Sequence, residues 1–331
     1  MTVHQSITDE TFSVLICTCD RVAVLRETVE LVLERLADFK NSRLVIVDNA
    51  SRDETAEYLA NLATSHDNVL VATESKPGVY HARARAISMA TGAFFLFLDD
   101  DVIPGAGWPQ TIIEELRSSA DVGVVGTSVV PVWQGDRPVW VSPRIERNVF
   151  GAPTKERTIC QFPRYPYGCS AAYRMNDIVK LFVTPERRQI QLGWGSGTDA
   201  VGGEDWDLPE IYIRNGFKAV VRDDVSVGHR IVAAKVDKKW VLHKFEADGR
   251  LHVRYARLAG RPVLTKRIVV HLLTFPAWRV LSAVSKPVLG DDNHFTTMLQ
   301  TFAARGRGLW HELLFGERHV RYPFSLKEVQ T

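Results

Sequence analysis

The chain has few cysteines and no long apolar run. Its four cysteines, Cys17, Cys19, Cys160 and Cys169, include no Cys-x-x-Cys pair, so neither a zinc site nor a disulfide framework is expected, and buried free thiols are the simplest interpretation. The start "MTVHQSITDE" lacks the basic residues and apolar run of a signal peptide, and no window supplies the roughly 18 uncharged apolar residues of a spanning helix. We therefore expect a cytosolic site of action.

Two nucleotide-binding loops are also absent from the sequence. No Gly-x-Gly-x-x-Gly follows the first predicted strand, which argues against a dehydrogenase-type dinucleotide site, and there is no Walker lysine loop. Apolar residues, in contrast, are plentiful, because 45% of the 331 residues are hydrophobic and 24% are charged. This composition predicts a globular chain of one large or two smaller domains.

Charge is unevenly distributed along the chain, although the net charge is only +2. Residues 1–227 contain 23 Lys and Arg against 31 Asp and Glu, whereas residues 228–331 contain 18 against 8. A basic C-terminal third favours an anionic partner, which could be a membrane surface, nucleic acid or a phosphorylated substrate. A solvated basic face without a partner is the plain alternative.

The first part of the chain alternates between short apolar runs and helical patterns. Strands are predicted at 12–18, 43–48, 68–72 and 93–99. Apolar residues recur at helical spacing between them, and Ser51 with Glu54 predicts a capping box for the second helix. Continuous apolar strands joined by helices indicate an α/β fold with a parallel sheet, in which ligands bind beyond the carboxyl ends of the strands.

Polar residues follow the first two of these strands and are therefore expected in one crevice. Thr18, Asp20 and Arg21 lie at the end of the first strand, and Asp48 and Asn49 lie at the end of the second. A carboxylate can accept from the N–H edge of a pyrimidine or of guanine, and a guanidinium can bind phosphate. Asp48 taken alone also suits a turn or a helix cap. Together these residues predict a nucleotide site.

The fourth strand runs into three aspartates, in "FFLFLDDDVIP". Because side chains alternate along a strand, Asp99 and Asp101 are predicted to share one face and Asp100 to take the other. Two carboxylates beside a diphosphate are suitable ligands for Mg²⁺ or Mn²⁺, and the cation would remove their repulsion. A solvated turn has the same letters, but the end of a buried strand favours the metal site.

Four segments resemble successive parts of glycosyltransferase family 2: "FSVLICTCDR", "LVIVDNAS", "GVYHARARA" and "FFLFLDDDVIP". The resemblance runs in order from residue 12 to about residue 230. It implies the GT-A fold, a nucleoside-diphosphate sugar donor, a metal held by the Asp-x-Asp motif, and inverting transfer to an acceptor hydroxyl. It also implies that Asp48 contacts the base, that Arg83 lies near the donor phosphates, and that Asp99 and Asp100 contact the donor. Arg85 is the other candidate arginine, since "ARARA" departs from the family's "ARN".

A second acidic cluster occurs in "VGGEDWDLPEIYIRNGF". Asp207 and Pro209 predict a helix start and Gly216 a helix end, which places Glu204 and Asp205 just ahead of the helix. By the resemblance, Asp205 is the base that takes the acceptor proton, and Glu204 helps to place the acceptor. From the residues alone, both could simply cap the helix.

A histidine and a mobile loop complete the predicted site. His229, in "VSVGHRI", follows the acidic pair at about the interval of the family's metal-binding histidine, which implies a third ligand beside Asp99 and Asp101; a structural histidine is the alternative. The glycine-rich segment 193–203 is predicted to close over the donor. Four aromatic residues of the acceptor side are expected to pack rather than to stack on sugars: Trp133, Trp140, Tyr165 and Tyr167.

The predicted organisation is a catalytic domain followed by a basic helical region. The catalytic domain covers 1–232, with a nucleotide-sugar half at 1–132 and an acceptor-side half at 133–232, and the amphipathic helices follow at 233–331. The segment 266–290 is interpreted as too polar to span a bilayer and is expected to lie peripherally on anionic lipid at the inner face of the cell membrane. Packing on the catalytic domain or on a second subunit, as a homodimer, is the alternative.

The predicted function is a metal-dependent inverting glycosyltransferase in polysaccharide, glycolipid or glycoconjugate biosynthesis. A nucleotidyltransferase would need a glycine-rich basic loop where "CTCDR" stands, although its core and metal aspartates could be similar. A nucleic-acid-binding protein would leave the buried-strand aspartates without a purpose, so nucleic acid is not an expected partner. An inactive relative would usually lack Asp205 or the Asp-x-Asp motif. Transfer to a small molecule or protein without membrane contact stays open.

Overall fold

The computed structural model describes most of the chain. The described residues are 6–151, 154–161, 164–176, 179, 182, 204–232, 236–258 and 260–315, without the side chains of Glu204, Asp205 and Leu258. The predicted closing loop at 193–203 lies outside these ranges, so its closure stays a prediction.

Nine strands of the described residues form one mixed sheet. They are β1 Phe12–Thr18, β2 Ser42–Asp48, β3 Val69–Thr73, β4 Phe94–Asp99, β5 Val102–Pro104, β6 Val122–Trp133, β7 Thr158–Cys160, β8 Ser170–Arg174 and β9 Lys218–Ile231. Their order across the sheet is β3-β2-β1-β4-β8-β6-β9-β5, and β7 pairs with β9.

The helices lie between these strands and continue after them. They are α1 Val22–Leu36, α2 Thr55–Ser65, α3 Val79–Met89, α4 Trp108–Ser118, α5 Pro143–Val149, α6 Glu204–Arg214, α7 Lys238–Leu258, α8 Lys266–Leu289 and α9 His294–Phe315. A short 3₁₀ turn, Ile7–Asp9, precedes β1.

The first four strands pair in parallel, as predicted. Successive residues of β1 are buried on opposite faces of the sheet, because Val14 packs in one apolar core and Leu15 in the other. Both faces are therefore covered, which explains why the strand sequence is apolar without alternation. The segment "CSAAYRM" returns to the sheet as predicted, with β8 antiparallel to both β4 and β6.

The strand registers bring the polar strand ends together. Thr18 pairs with Asp48 at the ends of β1 and β2, and Cys17 pairs with Asp99 at the end of β4. The antiparallel pairing of β5 with β9 places Val102 opposite His229. The crevice is therefore bordered by residues from five strands.

The capping box predicted for Ser51 and Glu54 is wrong. Helix α2 begins at Thr55 without a side-chain cap from Glu54, and the Ser51 hydroxyl accepts from the Asp20 amide at 2.9 Å. The carboxylate of Asp53 accepts instead from the amides of Thr55 and Val22, each at 3.1 Å. One aspartate thus satisfies amides at the starts of α1 and α2, because its two oxygens can face different donors.

Helix α6 begins earlier than predicted. It starts at Glu204, so Glu204 and Asp205 belong to its first turn rather than preceding it, and Pro209 lies inside the helix. A proline near the N-terminus removes one backbone hydrogen bond without ending a helix. The predicted C-terminal signal is confirmed, since Gly216 has a φ of 89° just after the helix.

Helix α7 packs on the catalytic domain. Val241 and Phe245 share an apolar cluster with Trp140 and Ile231, and Tyr255 joins the core beneath the sheet. This fits the alternative in which the basic region covers the catalytic domain; the boundary at residue 232 stays a prediction.

Helix α8 is mostly exposed. An 18-residue window within Lys266–Leu289 has a mean hydropathy of 1.5, and 17% of the window is buried. By length and composition this helix could cross a membrane, so the interpretation of 266–290 as too polar to span is not supported.

The expectation of buried thiols is confirmed only in part. All four cysteines are free, but Cys19 is exposed and Cys17 is half-buried.

Candidate functional site

Arg21 joins two of the three aspartates at the end of β4. Its Nη1 donates to Asp100 Oδ1 and its Nη2 to Asp101 Oδ2, both at 2.7 Å. The carboxylates of Asp100 and Asp101 are buried, whereas that of Asp99 is 44% exposed. Asp99 and Asp101, which were predicted to share one face, therefore differ in exposure, and their common face stays a prediction. Strand β4 ends at Asp99, so the alternation on which the prediction rested does not continue beyond it.

Asp100 is held on all sides by protein groups. Thr18 Oγ1 donates to its Oδ2 at 2.7 Å, and Thr28 Oγ1 donates to its carbonyl at 2.9 Å. Arg230 is buried and donates to Thr28 Oγ1 at 2.9 Å. Burial raises the pKa of the Asp100 carboxyl to about 6, while the positive charge of Arg21 acts in the opposite direction. Asp100 and Thr18 thus fix the strand end that presents Asp99 and Asp101.

Arg83 lies beside the exposed aspartate. Its Nη2 is 3.5 Å from Asp99 Oδ1 and donates to the carbonyl of Gly168 at 3.4 Å, and its guanidinium lies over the ring of Phe97. Arg83 is buried in α3, whereas Arg85 is exposed on the same helix. Of the two candidates, Arg83 is therefore the one that reaches the crevice.

His229 approaches Asp101 across the β5–β9 pairing. Its Nε2 is 3.6 Å from Asp101 Oδ1, and its Nδ1 is 3.0 Å from the carbonyl of Phe150. A carbonyl can only accept, so Nδ1 carries a hydrogen and donates to Phe150. In the neutral ring, the lone pair of Nε2 then faces a carboxylate oxygen. A cation between these two atoms would remove this repulsion.

The residues after β2 form the wall next to this crevice. Asp48 is buried, and its Oδ1 accepts from the Ser51 amide at 3.0 Å. The Asn49 side chain bonds the backbone three times: Nδ2 donates to the carbonyls of Glu74 and Lys76, and Oδ1 accepts from the Gly78 amide. Asn49 therefore fixes the loop between β3 and α3. Direct nucleotide contact by Asp48 or Asn49 stays a prediction.

Asp20 lies at the turn between β1 and α1. It has a φ of 53°, and its Oδ1 accepts from the Arg52 amide at 2.5 Å. The exposed carboxylate thereby ties the two loops that follow β1 and β2. A donor contact by Asp20 stays a prediction as well.

The predicted catalytic pair lies on the first turn of α6, but the side chains of Glu204 and Asp205 are outside the described part of the chain. The same helix carries a charge network that the sequence did not predict. Glu210 is fully buried, and its carboxylate accepts from Tyr165, Arg214 and Arg261. Its only sequence signal is an acidic residue one turn after Asp207, which is also buried. The network holds the helix on which the predicted base lies.

The four acceptor-side aromatics are used for packing and hydrogen bonding. Trp133 contacts the ring of Phe150, and Trp140 is buried. Tyr165 bonds Glu210 and lies near Trp206, and Tyr167 donates to the carbonyl of Arg147. The packing interpretation therefore accounts for Trp133, Trp140 and Tyr165, whereas Tyr167 is exposed and is held by its hydroxyl.

The described residues thus bring Arg21, Arg83 and the three aspartates together with His229. Within the described part of the chain, no three His, Cys, Asp or Glu side chains converge as a ready-made metal site. Exposed Asp99 and the Asp101–His229 pair nevertheless provide oxygen and nitrogen donors of the kind that Mn²⁺ accepts. Carboxylates and guanidinium groups in one crevice can together hold a metal-bound diphosphate.

Comparison with known proteins identifies the family. The sequence model of glycosyl transferase family 2 matches residues 13–182. A glucosyl-dolichyl phosphate glucuronosyltransferase of Haloferax volcanii is 22% identical over 247 residues, which cover 70% of this chain and 73% of that protein. A PGL/p-HBAD biosynthesis glycosyltransferase of Mycobacterium bovis is 33% identical over 93 residues, which cover 27% and 35%.

Two solved structures have a similar fold. The mannosyltransferase PcManGT from Pyrobaculum calidifontis, in complex with GDP-Man and Mn²⁺, superposes with a TM-score of 0.62 at 15% identity and covers 94% of this chain and 89% of that chain. GalNAc-T7 with UDP, GalNAc and Mn²⁺ superposes with a TM-score of 0.51 at 16% identity and covers 77% and 52%. The nucleotidyltransferase alternative therefore finds no support. The chain belongs to glycosyltransferase family 2 and is a glycosyltransferase with the GT-A fold.

Proposed function

We propose that the protein transfers a sugar from a nucleoside-diphosphate donor to an acceptor hydroxyl with inversion, and that transfer depends on Mn²⁺ or Mg²⁺. The observation that carries this proposal is the crevice at the end of β4, where Asp99 is exposed and Asp101 faces His229 at 3.6 Å. The similar structures named above were solved with GDP-Man or UDP and with Mn²⁺, which supports a donor and a metal of these classes.

Asp99, Asp101 and His229 are the residues proposed to hold the metal. The hydrogen bond from His229 Nδ1 to Phe150 leaves Nε2 directed at Asp101, an arrangement typical of a histidine oriented for a metal. When bound, the cation would neutralise negative charge on the leaving diphosphate. Arg21 keeps the carboxylate of Asp101 in place through its 2.7 Å ion pair, so the metal ligand needs no reorganisation.

The remaining roles are proposed for the chain's own side chains. Arg83 is proposed to contact the donor phosphates, which its position beside Asp99 supports. Asp48 is proposed to accept from the base, which its position at the end of β2 supports. Asp205 takes the proton of the acceptor hydroxyl, and Glu204 orients that acceptor. The segment 193–203 excludes water from the crevice by closing over the donor.

The acceptor is proposed to be a glycan or glycolipid, and the enzyme to act peripherally at a membrane. The name of the Haloferax relative specifies a lipid-linked acceptor, glucosyl-dolichyl phosphate. The mean hydropathy of α8 and its low burial support contact with lipid. A role in polysaccharide, glycolipid or glycoconjugate biosynthesis follows from this acceptor class.

The first experiment measures release of nucleoside diphosphate from a panel of sugar donors, with and without Mn²⁺ or Mg²⁺. We expect one donor to be turned over, and turnover to stop when the metal is chelated. Absence of turnover with every donor, in protein shown to be folded, would reject the proposed activity. Undiminished turnover after chelation would reject the metal.

The base assignment is tested with Asp205→Asn. We expect donor binding to be retained and transfer to fall by about 10²-fold or more, because the acceptor proton then has no acceptor group. Asp223→Asn, at an exposed position of β9, is the matched control and should transfer normally. Near-normal transfer by the Asp205 variant would exclude it as the base.

A further inference from the structure

A cluster of arginines outside the catalytic crevice has no role in the proposed reaction. Arg144 lies on α5, Arg267 on the first turn of α8 and Arg305 on α9. Phe302 of α9 connects them: its ring lies under the Arg144 guanidinium, and its carbonyl contacts His271, which follows Arg267 by one turn of α8. Arg305 follows Phe302 by about one turn of α9. In agreement with this arrangement, burial and then the charges of Arg305 and Arg267 lower the pKa of Arg144. Three helices thus bring three like charges to one place, at a cost in electrostatic energy.

Little in the described structure offsets this charge. None of the three guanidinium groups forms an ion pair within 4.0 Å among the described residues. Asp248 acts on Arg305, but burial raises the pKa of Asp248, which weakens it as a counter-charge. Arg144 and Arg267 remain exposed to solvent, and Arg305 is partly exposed. The arginines therefore form a solvent-accessible cationic site rather than a structural salt-bridge network.

The side chain of Arg144 is held in a fixed position. Its guanidinium carbon lies 3.9 Å from the centroid of the Phe302 ring, and Phe302 stacks on Trp278 at 5.0 Å. The Phe302 carbonyl also lies 3.0 Å from His271 Nε2. A guanidinium held by its face keeps its in-plane N–H groups available for an oxygen acceptor. Such preorganisation is what anion recognition requires.

An exposed apolar stripe begins next to this site. Within two turns after Arg267, α8 exposes Val270 and Leu273, the latter to 76% of its surface. Exposed aliphatic residues continue along the helix at helical spacing: Val280, Leu281, Val284 and Val288. Binding of a soluble anion would not account for the exposed apolar stripe. An amphiphile with an anionic headgroup would contact both the arginines and the stripe.

We propose that Arg144, Arg267 and Arg305 bind the phosphate-monoester or diphosphate headgroup of a lipid, whose apolar chains lie along the exposed face of α8. Three guanidinium groups suit the several terminal oxygens of such a headgroup better than the two of a phosphodiester.

The site is close to the catalytic crevice. Helix α5 carries Arg144 near its start, and Phe150, which accepts from His229 Nδ1, caps its end. Six residues of helix separate them, a rise of about 9 Å. A lipid diphosphate that carries a sugar would therefore present a hydroxyl of that sugar near the metal ligands. This consequence rests on the proposed function; binding of the headgroup does not.

The experiment compares vesicles with different headgroups, using the full chain. Phosphatidylcholine vesicles carry either phosphatidic acid, a phosphate monoester, or phosphatidylglycerol, a phosphodiester, with equal zeta potentials. We expect the protein to bind the monoester vesicles about tenfold more tightly, the difference made by one additional charge-assisted hydrogen bond. Equal binding to both vesicles would overturn the proposal.

Matched variants distinguish binding at these three arginines from general attraction by the positive charge of the same helices. The triple variant R144Q/R267Q/R305Q should lose the preference for the monoester, whereas R147Q/R279Q/R307Q removes one arginine from each of the same three helices and should retain it. Equal loss in the two variants would show diffuse electrostatic attraction and overturn the site. If the first triple variant does not fold, R267Q alone, at an exposed position, must show a reduced preference.

Two further measurements distinguish a lipid from free phosphate, and lipid binding from the proposed catalytic activity. Tight binding of inorganic phosphate without vesicle binding would reject the lipid. Donor turnover without vesicles should be equal in wild type and both triple variants; its absence in all of them would count against the proposed function alone.

Discussion

Replacing Glu210 by glutamine tests the charge network that holds helix α6. The side chain is fully buried. Its Oε2 accepts from the Tyr165 hydroxyl at 2.5 Å, and its Oε1 accepts from Arg214 Nε at 2.8 Å and from Arg261 Nε at 3.1 Å. Glutamine has nearly the same shape but carries no charge and has one acceptor oxygen fewer. The substitution therefore leaves two arginines beside a neutral group.

The expected cost follows from the exposure of those arginines. Removing one partner of a fully buried ion pair costs about 3–5 kcal/mol. Here the arginine side chains are 24% and 32% exposed, so water can partly replace the lost carboxylate. We expect a loss of about 2–3 kcal/mol in the free energy of unfolding, since charge-assisted hydrogen bonds contribute roughly 1.5–3 kcal/mol each. The melting temperature should fall by about 3–4 °C, because the unfolding entropy of a chain of this length is large.

Urea and thermal denaturation followed by circular dichroism measure this change. Glu34→Gln, at a position whose carboxylate is 64% exposed, is the control and should stay within about 0.5 kcal/mol of wild type. In a double-mutant cycle, Glu210→Gln with Arg261→Gln should cost less than the sum of the single changes, because the second removes a charge that the first left unpaired. A loss below about 0.5 kcal/mol for Glu210→Gln, or strict additivity, would refute the argument.

Two other predictions concern the C-terminal helices. Gly308→Ala should destabilise the protein by about 1–3 kcal/mol in urea denaturation, because the added Cβ would lie 1.9 Å from the Glu246 carbonyl oxygen. The control Arg307→Ala, at an exposed position, should change the stability little, and equal effects of the two substitutions would contradict this close helix packing. Burial, and to a smaller extent the charges of Arg305 and Arg267, lowers the pKa of His252 to about 4. The unfolded chain therefore binds more protons than the folded protein below pH 6.5, and the free energy of unfolding decreases as the pH is lowered. The expected decrease is about 2 kcal/mol at pH 5. His252→Gln should flatten that slope between pH 4 and 6.5, and an unchanged slope would place the proton elsewhere.

The catalytic half of the fold was predictable because its signals are local. Strands such as Phe12–Thr18 are continuous apolar runs, and a run of this kind needs a sheet covered on both faces. The polar residues that follow these strands therefore had to meet at one edge. Helix starts were predicted less well, since Asp53, rather than Ser51 with Glu54, stabilises the start of α2 through contacts with two separate helices.

The details of the site depended on residues far apart in the chain. The position of His229 beside Asp101 follows from the pairing of β5 with β9, and Asp101 shares Arg21 with Asp100 because the strand ends at Asp99. The Glu210 network likewise joins α6 to residues before and after it. No local pattern encodes such pairings, because they depend on which surfaces meet after folding.

By itself, the sequence determined the α/β core, the family and the residues that line the crevice, since apolar periodicity and the motifs at the strand ends are local properties of the chain. Only the tertiary structure decided which carboxylates are buried or exposed, which arginine reaches the crevice, and that Arg144, Arg267 and Arg305 converge beside an exposed apolar helix. The physical reason is that burial and electrostatic interaction depend on distances between elements, which periodicity along a single element does not specify.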